Sequence, residues 1–178
     1  MTEDAPPLED DVSAGTEDGV ALSLSGGGYR AMLFHVGALY RLNEIGLLGK
    51  LARISSVSGG SITAGFLGML WNQLQFQDGK TAKFGQFVDG MRAMANTTVD
   101  AGAVIGGILL PGSIADRVAK AYDNMLFKGA KLGDLPDDTG KKAPRFVINA
   151  RTSSRRRCGA SQGRIWATIW SVSSISPM

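Results

Sequence analysis

Apolar residues along the first half of the chain alternate between short continuous runs and helical spacing. Val20 to Ser25 is a short apolar run typical of a buried strand, and the three glycines Gly26 to Gly28 follow it at once. From Tyr29 to Ile45 the apolar residues recur every three or four positions, which predicts a helix. Leu51 to Val57 predicts a second buried strand, and a second apolar helix follows Ser58 to Ser61.

The second half of the chain continues with a weaker pattern. Residues 76–100 are mixed and predict partly exposed helix, whereas Ser113 to Phe127 predicts an amphipathic helix with Ser113 as its N-cap. Residues 131–142 predict a loop, and Arg145 to Asn149 predicts a third buried strand. Alternating strands and helices predict an α/β fold, a three-layer sandwich whose mostly parallel sheet has helices on both faces and right-handed crossovers.

Charge divides the 178-residue chain unevenly. It carries 19 basic and 16 acidic residues, but residues 151–178 hold five arginines and no acid, so residues 1–150 have a net charge of −2. Residues 1–19 are acidic, contain two prolines and predict a flexible leader without the layout of a signal peptide. One cysteine and one histidine argue against a disulfide framework and against a Cys/His metal site.

The candidate chemistry lies where two predicted strands end. Ser58 stands between a strand and a helix within Ser56-Val57-Ser58-Gly59-Gly60, a strand–serine–helix turn in which Gly59 and Gly60 leave room for close packing. Such a turn lifts the Ser58 hydroxyl out of the sheet at a helix N-terminus, where free N–H groups favour a developing anion. Ser58 is therefore the candidate nucleophile, and the alternative is a serine in a tight structural turn.

The triple glycine supplies the complementary part. At Gly26, Gly27 and Gly28 no Cβ prevents the backbone N–H groups from pointing into a common space. Together with Gly59 they are candidate oxyanion donors for an attacked carbonyl group. The rival interpretation is a phosphate-binding loop, but the lysine of a Walker motif and the acidic residue of a dinucleotide-binding fold are missing at the required positions.

These motifs resemble those of the patatin-like phospholipases. The resemblance rests on Ser25-Gly-Gly-Gly-Tyr-Arg-Ala31 and Ser56-Val-Ser-Gly-Gly-Ser61, on His35-Val-Gly-Ala-Leu39 in the intervening helix, and on Pro144 to Ala150. It covers residues 20–150 and implies hydrolysis of a phospholipid or acylglycerol ester by a serine–aspartate dyad, with no cofactor, no metal and no catalytic histidine. Contact with a membrane surface and a place in the cytoplasm or at its membrane face are the corresponding expectations; nucleic acid is not an expected partner.

The sequence departs from the family pattern in several places. Ser56 and Ala31 stand where the family has glycine, and the downstream Asp-Gly-Gly or Asp-Gly-Ala motif of the dyad aspartate is absent; the nearest string, Asp89-Gly-Met91, falls in a predicted helix. We hypothesise that the chain leaves its ancestral reading frame near Ala150, so that residues 151–178 form a poorly ordered basic tail and the domain lacks its last strands. The nucleotide sequence across codon 150 tests this.

Three further features have two interpretations each. Arg30 has a functional interpretation, in which it supports the glycine loop or contacts an anionic head group. The alternative is a solvated arginine at the start of a helix. His35 is expected to be a packed structural histidine rather than a general base. Residues 101–110 are apolar and glycine-rich, and fit either a lipid-contacting lid or a buried connector. With the dyad aspartate missing, we expect little or no activity; the alternatives are a lipid- or protein-binding remnant and a chain that aggregates.

Overall fold

The computed structural model describes residues 18–96, 120–136 and 142–149. Three strands and three α-helices follow one another as β1 Val20–Leu24, α1 Gly28–Glu44, β2 Leu51–Val57, α2 Gly59–Leu74, α3 Gly85–Ala95 and β3 Arg145–Asn149. Short 3₁₀ turns at Leu48–Lys50, Ala82–Phe84 and Leu132–Asp134 lie between these elements, as does a π-helical turn at Asp123–Phe127 that continues the helical residues 120–122.

The strands form one parallel sheet in the order β1-β2-β3. Leu24 pairs with Ser56 in the first ladder, and Val57 pairs with Asn149 in the second. Because the strands are parallel, their carboxyl ends meet at one edge, where ligands bind in open α/β sheets. Helices flank this sheet, so the predicted α/β class with a parallel sheet is confirmed.

Local patterns predict most of these elements closely. The strands β2 and β3 have the predicted bounds, β1 ends one residue early at Leu24, and Gly46 adopts a φ of 74° after α1, as a helix C′ residue does. Four predictions need correction. Asp123–Phe127 is π-helical rather than α-helical, and the predicted loop contains the turn Leu132–Asp134. Of the described residues 76–96, which were expected to be helical, only Gly85–Ala95 is α-helix, because Gln77 and Lys80 form an isolated β-bridge and Ala82–Phe84 is a 3₁₀ turn. The strands β1 and β3, which were expected to be buried, contain one buried residue between them, Leu24. The predicted leader residues 1–17, the stretch 101–110, the N-cap Ser113 and the basic tail lie outside the described residues.

The core lies between the sheet and the helices. Apolar residues of α1, α2 and α3 pack there with the ends of β1 and β2. The largest fully buried side chains are Phe84, Phe87, Phe127, Met32, Leu39, Leu48, Ile54, Leu67, Leu74, Met91 and Met94. Leu24 and Ile54 anchor β1 and β2 in this cluster, so the carboxyl edge of the sheet has a fixed place relative to the helices.

Candidate active site

Ser58 occupies a strained turn between β2 and α2. Its φ and ψ are 50° and −122°, the values of the first central residue of a type II′ turn, which glycine usually occupies. A serine held there costs about 1–3 kcal/mol, and such strain persists where the surrounding structure imposes it. The side chain is partly exposed, and among the described residues no group hydrogen-bonds to its hydroxyl, which leaves it open to a substrate.

The glycine loop lies directly against this turn. A Cβ built on Gly26 would stand 3.3 Å from Cβ of Ser58, and one built on Gly59 would stand 2.5 Å from the carbonyl oxygen of Gly28. Gly60 approaches β1 equally closely, since its Cβ would lie 2.6 Å from the Leu24 carbonyl oxygen. The two bends expected at neighbouring strand ends therefore face each other, and side chains larger than glycine would separate them.

Backbone donors are available on both sides of this contact. Gly27 and Gly28 have φ values of 131° and 60°, and Gly59 begins α2. Within the described part of the chain, the N–H groups of these three glycines have no hydrogen-bond acceptor. Free N–H groups at two helix starts favour negative charge, so the arrangement suits an anion next to Ser58.

His35 hydrogen-bonds to Ser25, the residue just before the glycine loop. It is buried in α1, and its Nε2 lies 2.9 Å from the carbonyl oxygen of Ser25. Because a carbonyl oxygen only accepts, Nε2 must carry the proton and donate it to this bond. A ring nitrogen used in this way supports the loop, in agreement with a structural role for His35. Arg30 lies exposed in the first turns of α1.

One residue at this edge was not anticipated as part of the site. Asn149 ends β3, and its Nδ2 donates to the Ser55 hydroxyl at 3.0 Å and to the Ser56 carbonyl at 3.2 Å. The signal in the sequence was a polar residue at the carboxyl end of a predicted parallel strand. Its partners could not be inferred without the register of β2 and β3.

Among the described residues, no carboxylate hydrogen-bonds to the Ser58 hydroxyl. Asp89 lies in α3, and the buried Asp123 accepts a hydrogen bond from the Gly129 backbone at 2.8 Å. No described group of histidine, cysteine or acidic side chains is arranged to hold a metal ion.

A cavity of about 550 Å³ lies beside β3, lined by Leu132, Leu135 and Phe146 among others, and Ser58 does not line it. None of the described helices is long and apolar enough to cross a membrane.

The chain matches the model of a known protein family. The model of the patatin-like phospholipase family matches residues 22–177. This range includes Ser58, the glycine loop and Asn149, and it extends past Ala150, where a change of reading frame stays a hypothesis. No curated protein and no solved structure matches the chain significantly.

Proposed function

Because the chain belongs to the patatin-like phospholipase family, we propose that it is a lipid acyl hydrolase whose nucleophile is Ser58. The observation that carries this proposal is the backbone of Ser58: a non-glycine residue with a φ of 50° between a strand and a helix, packed against a glycine loop. A strained serine in this position has no evident structural advantage, whereas a nucleophile gains exposure and anion-stabilising neighbours from it.

This geometry supports the following reaction. The Ser58 oxygen attacks the ester carbonyl carbon of a phospholipid or acylglycerol, and its proton passes to a base. The N–H groups of Gly27, Gly28 and Gly59 would bind the resulting oxyanion; losing one donor of this kind typically costs about 3–4 kcal/mol of transition-state stabilisation. Collapse expels the alcohol, and water then hydrolyses the acyl-serine. The chemistry needs no cofactor or metal.

The base is the missing part of the proposal. Family resemblance implies an aspartate in an Asp-Gly-Gly or Asp-Gly-Ala motif, which the sequence lacks. Serine without an adjacent base is a weak nucleophile. We therefore expect slow acylation at Ser58 and little or no sustained turnover.

Covalent labelling tests the nucleophile separately from turnover. With excess alkyl fluorophosphonate, intact-mass spectrometry should show a slow single adduct that peptide mapping places on Ser58 and that Ser58→Ala abolishes. No adduct on Ser58 would contradict the hydrolase proposal. Steady hydrolysis of a p-nitrophenyl ester above about 1 s⁻¹, within the ordinary range of enzymes, and lost in Ser58→Ala would contradict only the expectation of low turnover.

We infer that peripheral contact with a phospholipid surface is made by the exposed face of α1. Phe34 is 73% exposed and Leu33 is 49% exposed, and both lie within two turns of Gly28, where the glycine loop enters the helix. The exposed guanidinium of Arg30 lies one turn before Phe34 and complements anionic head groups. Apolar side chains beside a cation favour binding at the membrane interface.

Vesicle flotation tests this contact. Phe34→Asp and Arg30→Glu should each reduce recovery with vesicles that contain phosphatidylserine, whereas Ser58→Ala should not. Binding that survives Ser58→Ala in a chain without turnover is also the result expected of a non-catalytic lipid-binding remnant, the second candidate function. Unchanged flotation of both α1 variants would contradict the assignment of this face.

A further inference from the structure

Three polar side chains join β2 to β3 just before the turn that carries Ser58. Asn149 donates from Nδ2 to the Ser55 hydroxyl and the Ser56 carbonyl, at 3.0 and 3.2 Å. The Ser56 hydroxyl donates in the opposite direction, to the Val147 carbonyl at 3.3 Å. These bonds run both ways between the strands, and we refer to Ser55, Ser56 and Asn149 as the β2–β3 clamp.

The clamp lies next to the strained residue in sequence and in register. Asn149 pairs with Val57, the residue immediately before Ser58. Ser56, where the family pattern has glycine, is only 2% exposed. Its hydroxyl therefore fills a buried position with a satisfied hydrogen bond, which explains how this departure from the family pattern is accommodated.

A strained turn needs support on both sides. On the helix side, the N–H groups of Ser61 and Ile62 donate to the Ser58 carbonyl at 2.8 and 3.3 Å, and Gly59 packs on Gly28. On the strand side, the last side-chain bonds before Ser58 are those of the clamp. Without them, the end of β2 can relax and Ser58 can leave its unfavourable φ, since such conformations persist only when neighbours determine them.

We propose that Asn149 is a positioning residue that acts through Ser55 and Ser56 to hold the Ser58 side-chain oxygen at the N-terminus of α2. This inference rests on the proposed function of Ser58 and extends it to a residue on another strand. Its consequence is electrostatic: an anion at position 58 is stabilised by the helix start and the free glycine N–H groups only while the turn is held.

A thiol at position 58 can report this stabilisation without any catalytic base. In a Ser58→Cys, Cys158→Ser background the protein has one cysteine, and a helix N-terminus lowers the pKa of such a thiol. Thiolate absorbance, titrated against pH, gives the thiolate fraction at pH 7. We expect this fraction to be about tenfold larger in the folded protein than in the same protein in urea.

Variants of the clamp should reduce that ratio. Asn149→Leu removes both donated bonds while keeping a similar volume, and should lower the thiolate fraction at pH 7 by about threefold or more, a fraction of the shift that a helix start produces. Ser55→Ala, which removes one acceptor, should have a smaller effect in the same direction. Asn149→Gln keeps the donor and should restore part of the loss.

Asn43 provides a matched control. It also links two segments by a pair of bonds, donating to the Thr81 carbonyl at 3.0 Å and accepting from the Thr81 N–H at 2.8 Å, but it does so at the end of α1 opposite the glycine loop. We expect Asn43→Leu and Asn149→Leu both to lower the unfolding midpoint, since each removes a pair of hydrogen bonds. Asn43→Leu should leave the thiolate fraction unchanged. Circular dichroism confirms that each variant is folded under the titration conditions.

The outcomes separate the two proposals. If the Ser58→Cys thiol behaves in the folded protein as it does in urea, the anion-stabilising site and hence the proposed function are wrong. If the folded protein has the larger thiolate fraction but Asn149→Leu does not lower it, the anion-stabilising site is supported. Asn149 then only links β2 to β3 and does not position residue 58. Equal losses in Asn149→Leu and Asn43→Leu would show a general effect of destabilisation and would also overturn the inference.

Discussion

At the scale of single residues, Ser58 combines a chemical role with a conformational cost. Its φ of 50° and ψ of −122° suit glycine, and its hydroxyl makes no hydrogen bond with the described residues that would offset the strain. The cost is explained if position 58 is selected for reactivity rather than for stability, as happens where active sites store strain. Stability measurements on two variants that both lack the hydroxyl can test this.

We predict that Ser58→Gly is more stable than Ser58→Ala by about 1 kcal/mol. Alanine keeps a Cβ and with it the strain of a positive φ, whereas glycine relieves the strain and loses only part of the gain to its freer unfolded chain. Urea unfolding of the two variants, with unchanged m-values, measures the difference. If Ser58→Ala is the more stable of the two, the turn is not strained at this position.

At the scale of elements, the starts of α1 and α2 meet through backbone alone. The carbonyl of Gly28 lies so close to Gly59 that a Cβ there would stand 2.5 Å from it. The first residues of the two helices are therefore in contact, and an anion beside both would be stabilised by the partial positive charge of each helix start. The contact is a property of the pair, because neither helix presents such a site by itself.

We predict that Gly59→Ala destabilises the fold by about 1–3 kcal/mol, as overpacking does, and also suppresses labelling of Ser58 by a fluorophosphonate. The matched control is Gly37→Ala in the middle of α1, where no described atom lies within 4 Å of the added Cβ. That variant should gain up to about 1 kcal/mol from helix propensity and leave labelling unchanged. Similar effects of both variants would contradict the close contact between the helix starts.

The same elements show how far local sequence patterns reach. The spacing of apolar residues and the glycines between segments predict β1, α1, β2, α2 and β3, because burial on one face imposes a period on each segment. The bonds of Asn149 and Ser56 could not be predicted, since they depend on which residues of β2 and β3 lie side by side. The π-helical turn at Asp123–Phe127 was missed for a similar reason: a spacing typical of an α-helix does not reveal a local change of winding.

At the scale of the whole molecule, the position of the site depends on one shared core. Aromatic rings connect the helices within it: Phe66 of α2 stacks on Phe87 of α3 with 5.7 Å between ring centroids, and Phe87 lies 5.1 Å from Phe84. Trp71 of α2 meets Phe146 of β3 and donates to the Lys142 carbonyl. These contacts join α2, which begins at the candidate nucleophile, to the strand that ends at Asn149.

A tightly packed core predicts a cooperative protein rather than an aggregating or loosely folded chain. Phe87→Ala should lower the free energy of unfolding by about 3–5 kcal/mol, since it leaves a cavity among rings that cannot close over it. Phe34→Ala removes the same atoms from a side chain that is 73% exposed, and should change stability by less than about 0.5 kcal/mol. Far- and near-ultraviolet circular dichroism should follow one coincident thermal transition in the parent protein. A broad transition that Phe87→Ala hardly shifts, with secondary structure outlasting the near-ultraviolet signal, would mean that the core is not fixed and cannot hold two helix starts and three strand ends in register.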